Sequence, residues 1–220
     1  MKRALLLGSL SLILGFGSFS SASADTIFNL TYNGCSSGCN VLPAGSVTLH
    51  QNGTNDVTVT VQLVSDYSFR QANDTNHWSF VFDLANGITG ASASNINGYG
   101  QSFSFLGLGS YNDSPLGSFP YAFDCTSCST GGSAGTTTQK LSFDLTAVGL
   151  TELSFISNGS YFFGADVVGI TQAAGIGQTG NIGATGTVTQ TGVTPEPSSL
   201  LLFGTGLTAV GGLIRRKMVA

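Results

Sequence analysis

Cys35-Ser-Ser-Gly-Cys39 and Cys125-Thr-Ser-Cys128 are close cysteine pairs, and their spacing allows three kinds of chemistry. An even number of cysteines in an exported chain points to disulfides. Three connectivities exist for four cysteines, and the local one, Cys35 with Cys39 and Cys125 with Cys128, is the expectation. The pairs could instead cross-link two loops, or supply four thiolates to zinc. A redox-active Cys-x-x-Cys at Cys125 to Cys128 lacks the βαβ surroundings that motif uses. Disulfides remain the expected state, because thiolates in an oxidising compartment seldom stay reduced.

The other reactive types are sparse. Only two histidines occur, His50 and His77, and no Gly-x-Ser-x-Gly elbow accompanies them. His50 falls on the polar phase of its strand. A glycosidase would need two carboxylates about 5 to 10 Å apart, yet nothing in the spacing of Asp66, Asp74, Asp83, Asp113, Asp124, Asp144 and Asp166 pairs them. No catalytic residue is therefore assigned, and the domain is expected not to be an enzyme. Asn73-Asp74-Thr75-Asn76 and Asn112-Asp113-Ser114 are oxygen-rich loops that could bind calcium, but neither matches an EF-hand. No other metal or cofactor is expected. Gly175-Ile-Gly177-Gln-Thr-Gly180 matches the dinucleotide fingerprint in letters only, since no strand-to-helix turn is evident there. Trp78, with Tyr99, Tyr111 or Tyr121, could offer a stacking platform to a sugar. A core Trp is the competing reading.

Charge narrows the partners. Between Asp25 and Thr194 only Arg70 and Lys140 stand against ten acidic residues, a net charge of −8. That balance disfavours nucleic acid and anionic membranes. Alternation dominates the same region. Val57, Val59, Val61 and Leu63 alternate with polar residues, and so do Val47 and Leu49 just upstream. Asn52-Gly53 between them predicts the positive backbone angles of a hairpin turn. Trp78, Phe80, Phe82 and Leu84 form a further expected face, and later strands are expected at Ser102 to Leu106, Leu141 to Leu145, Leu153 to Ile156 and Tyr161 to Val168. No helical periodicity is sustained. The expected fold is all-β, an antiparallel β-sandwich, jelly-roll-like, over residues 25–171. Residues 172–193, rich in Gly and Thr, read as a flexible spacer.

The two ends read as addresses. Met1-Lys2-Arg3, an apolar run from Ala4 to Phe19 and small residues at Ala22 and Ala24 predict a signal peptide over 1–24. At the other end, Thr194-Pro195-Glu196-Pro197 precedes an uncharged stretch, 198–214, and the cations Arg215, Arg216 and Lys217. A helix over 198–214 would reach about 25 Å at 1.5 Å per residue, near the lower limit for a membrane span. The cap would sit on the cytoplasmic side.

The segment TPEPSSLLLFGTGLTAVGGLIRRK, over 194–217, resembles the PEP-CTERM sorting signal of Gram-negative bacteria. The resemblance implies recognition by an exosortase, a membrane-embedded cysteine transpeptidase, with cutting at or near Pro195, Glu196 and Pro197. It implies an inner-membrane-anchored precursor, held by the C-terminal helix, that is passed on to the cell surface or extracellular matrix. The expected function is that of an exported envelope or matrix protein with a structural or adhesive β domain. The alternatives are a carbohydrate-binding module for extracellular polysaccharide and a polysaccharide hydrolase using an aspartate pair.

Overall fold

A computed structural model describes residues 25–35, 38–71, 76–130, 138–186 and 188–190. The expected signal peptide, the expected transmembrane segment 198–214, the motif Pro195 to Pro197 and the cap Arg215 to Lys217 lie outside the described residues. So do Asn73, Asp74 and Thr75. Among the described residues no helix is long and apolar enough to cross a membrane.

The chain forms two antiparallel sheets, as the alternation requires. One sheet contains β1 (Thr26–Asn29), β3 (Gly45–Gly53), β4 (Asp56–Leu63), β7 (Ser92–Asn97), β10 (Lys140–Thr146) and β14 (Val188–Gln190), in the order β14-β1-β3-β4-β10-β7. The other runs β2-β13-β12-β6-β9-β8. Its strands are β2 (Tyr32–Asn33), β6 (Phe80–Leu84), β8 (Phe103–Asp113), β9 (Gly117–Cys125), β12 (Phe163–Gly169) and β13 (Thr179–Ala184). Off that path, β5 (Tyr67–Phe69) pairs with β12, and β11 (Phe155–Ile156) pairs with β6.

Phenylalanine joins the sheets. Phe143 on β10 reaches the rings of Phe80, Phe82 and Phe123, with centroids 6.3, 6.3 and 4.2 Å away. Phe28 on β1 meets Phe163 on β12 edge-on at 5.0 Å. Val47, Leu49, Val57, Val59 and Val61 complete this core from the first sheet, all fully buried. Burying large apolar side chains at roughly 1.5–3 kcal/mol each is what holds so sparsely charged a chain together.

Three expectations need correction. The β3–β4 hairpin forms, but Asn52-Gly53 is not its turn. Strand β3 runs through Gly53 with a register shift after Gln51, and the positive φ of 67° falls at Asn55. The side chain of Asn55 accepts from the Gly149 N–H at 2.7 Å, which rewards the left-handed backbone there. Second, Trp78 does not share the face of Phe80, Phe82 and Leu84. It precedes β6 and packs with Val81, Leu116, Phe119 and Ala122 on the opposite side of that sheet.

Third, the described part of the expected spacer 172–193, residues 172–186 and 188–190, is not free chain. Strand β13 pairs with β12 from Phe163↔Ala184 to Val168↔Thr179, with Ile182 and Ala184 fully buried. Strand β14 pairs with β1, Thr26 opposite Gln190. The small residues serve close packing there. A Cβ on Gly180 would lie 2.6 Å from the Cys35 Cα.

Candidate functional site

On the second sheet the strand β12 changes neighbours at Asp166. Its earlier residues, Phe163 and Gly164, pair with β6, and its later ones, Val167 to Gly169, pair with β5. At the change, the Asp166 N–H donates to the Trp78 carbonyl at 3.2 Å, and its carbonyl accepts from Arg70 N at 3.1 Å. The side chain is fully buried, and Arg70 Nη1 donates to its Oδ2 at 2.8 Å. Arg70 Nε donates to the Thr130 carbonyl at 3.0 Å. A buried carboxylate so paired is costly to break: removing one partner typically costs about 3–5 kcal/mol.

A second buried carboxylate lies close by. Asp113 Oδ1 accepts from the Trp78 N–H and from Asn181 Nδ2, each at 3.0 Å. Asn181 stands opposite Asp166 in the β12–β13 register and also donates to the Ser114 carbonyl at 2.7 Å. The described ends of the two oxygen-rich loops meet here. Asn112 Nδ2 donates to Asn76 Oδ1 at 2.9 Å, and Ser114 N donates to the Asn76 carbonyl at 3.0 Å. Among the described residues no group of three or more His, Cys, Asp or Glu is placed to hold a metal ion.

Beside this polar cluster opens a cleft of about 430 Å³, lined by Gly34, Arg70, His77, Ser114, Pro115, Thr179 and Gly180. It unites one of the domain's two cations with one of its two histidines, from parts of the chain far apart in sequence. Alternation patterns are local, so they could not bring Arg70 and Thr179 together. The scarcity of cations between residues 25 and 194 was the one available signal.

The other candidate residues are dispersed. Both local disulfides form, Cys35–Cys39 and Cys125–Cys128. The first ties the segment next to Gly34 and Gly180. Trp78 is half-buried, edge-on to Tyr111 with centroids 5.1 Å apart, and its indole Nε1 is buried without a hydrogen-bond partner among the described residues. Tyr121 is buried in the core, so it cannot be a surface platform. Tyr99 is exposed and carries the Lys140 ammonium 4.6 Å over its ring. His50 is exposed, as its polar phase predicts, with Nδ1 2.7 Å from Asp25 Oδ1. Gly175 and Gly177 have positive φ in a tight turn, and the strand β13 follows them instead of a helix. That geometry removes the dinucleotide reading, which needs a helix N-terminus.

The tail identifies the sorting route. Residues 193–217 match the family model of the PEP-CTERM protein-sorting motif. The chain carries an exosortase sorting signal. It is accordingly an exported protein with exosortase as its processing partner. No curated protein and no solved structure matches the chain. Only two residues separate Gln190, the last of β14, from Val193, where the PEP-CTERM match begins, so the sandwich and the signal follow one another almost directly in the sequence.

Proposed function

We propose that the exported sandwich is a non-enzymatic structural or adhesive component of the envelope or extracellular matrix. It is delivered there from an inner-membrane-anchored precursor whose 198–214 segment spans the bilayer until an exosortase acts. The observation that carries this reading is the sorting motif at 193–217 directly behind a β domain. Two further features support it. The residues lining the cleft include no carboxylate, and Asp113 and Asp166 beside it are fully buried, out of reach of a polysaccharide chain. A sparsely charged, hydroxyl- and amide-rich surface also suits a hydrated matrix.

Mass spectrometry of the protein from cells and medium, with and without an exosortase, tests the delivery. The surface or medium form is expected to lack residues 198–220, and the uncut precursor is expected to stay in the membrane fraction when the enzyme is missing. A tail that persists unchanged in the exported form refutes it. Incubation with the cell's own polysaccharide tests the non-enzymatic part: no new reducing ends are expected, and their release by the wild type but not by an aspartate variant overturns it.

A further inference from the structure

We propose that the cleft between Arg70 and Thr179 binds a neutral sugar unit of an extracellular glycan. This rests on the adhesive reading above and gives that adhesion a ligand.

Hydrogen-bonding capacity left over at the cleft is the first ground. A guanidinium has five N–H donors. Arg70 uses Nε on Thr130 and Nη1 on Asp166, and Nη2 has no acceptor among the described residues. The hydroxyls of Thr179 and Ser114 likewise bond no described residue, and both line the cleft. Donors and two-way hydroxyls converging on one cleft suit a ligand that offers several hydroxyls. Pro115 supplies an apolar wall to the same space.

Charge selects the class. Arg70 is already neutralised by Asp166, Asp113 lies buried behind the cleft, and the region 25–194 carries −8. An anionic ligand would add a partly desolvated negative charge with no free cation to meet it. A neutral polyhydroxylated ligand accepts the Nη2 hydrogen bonds without that cost. Size agrees, since small-molecule sites span roughly 300–1,000 Å³ and this cleft has about 430 Å³.

The walls are also held in place before any ligand arrives. Arg70 is fixed by three bonds to Asp166 and Thr130, Thr179 by its pairing with Val168, and the Gly34 segment by the Gly34 N–H on the Asn181 carbonyl at 2.9 Å. Little ordering remains to be paid on binding.

The test uses the processed protein recovered from the medium. Amide resonances are followed by NMR during titration with glucose, galactose, mannose and N-acetylglucosamine, with glucuronate and inorganic sulfate as anionic arms. Saturable shifts at Gly34, Arg70, Ser114, Thr179 and Gly180 with at least one neutral sugar are expected. Arg70→Lys keeps a cation facing Asp166 but removes Nη2, and it is expected to weaken binding about tenfold or more, the effect of losing a charged hydrogen bond. Thr179→Leu, filling the cleft from a strand position, is expected to abolish it. Thermal melts of both variants confirm that they are folded. Shifts with glucuronate or sulfate alone, shifts confined to Trp78 and Tyr111, or no shift at all overturn the proposal. Retention on the cell's polysaccharide separates the two readings. If wild type and both variants are retained equally, the cleft proposal falls and adhesion stands. If sugar binds but the wild type is not retained, adhesion falls and the cleft stands.

Discussion

Asp144 on β10 accepts hydrogen bonds from Asn95 at 2.6 Å and Thr58 at 2.5 Å, which hold its carboxyl below the ordinary carboxylate range. A depressed folded value means stability that is present above the unfolded pKa and lost as pH falls through the folded one. Asp144→Ala is expected to cost about 1 kcal/mol at pH 7. The difference from wild type should fade in urea melts taken below the ordinary value of 3.8. Asp83 on β6 behaves in the opposite sense. Burial raises its pKa, partly offset by the Leu84 backbone N–H. Its contribution is therefore lost as pH rises through the raised value, so at neutral pH the charged form opposes folding. Asp83→Asn should raise the thermal midpoint at pH 7 and change it little in strong acid; a lower midpoint at pH 7 would contradict this. These pairings were not legible in the sequence, because Asn95 and Thr58 meet Asp144 only across β7 and β4.

At the scale of the strand, hydrophobic alternation was a good guide where one face meets the core. Val57 to Leu63, Phe80 to Leu84 and Leu141 to Leu145 all lie in strands close to their expected limits. It failed where other physics governs. Strand β9 was hidden by Pro120, which cannot donate to a ladder. The structure accommodates that proline where β6 pairing has ended at Tyr121 and β8 shifts register between Leu108 and Tyr111. Strand β13 was hidden by glycines whose role is close approach. Gly180→Ala should therefore be destabilising by about 1–3 kcal/mol, the usual range for overpacking, as measured by denaturant unfolding. Were the segment a spacer, the same change would be neutral or slightly stabilising. Phe143→Ala, which removes the ring between the sheets, is expected to cost about 3–5 kcal/mol in the same measurement.

For the whole molecule, export with exosortase processing was readable from one end of the chain and the cleft was not. Pro195 to Lys217 carry their meaning in linear order, whereas the cleft exists only after β5, β12 and β13 have assembled. The two disulfides span short loops, with sequence separations of 4 and 3, so loop entropy assigns each about 2 kcal/mol. Reduction should then lower the thermal midpoint by about 10 °C without unfolding the domain at room temperature. Melts with and without reductant check this, and collapse of the fold on reduction would show that the pairs do more than close loops. Pairing of the first with the last strand among the described residues sets a timetable for export. A chain leaving the membrane N-terminus first can dock β1 on β3 early, but the other edge of β1 stays open until residues 188–190 emerge. Open strand edges invite association with other chains. The interval of exposure closes only as the PEP-CTERM motif follows, so completion of the sheet and presentation of the address arrive together.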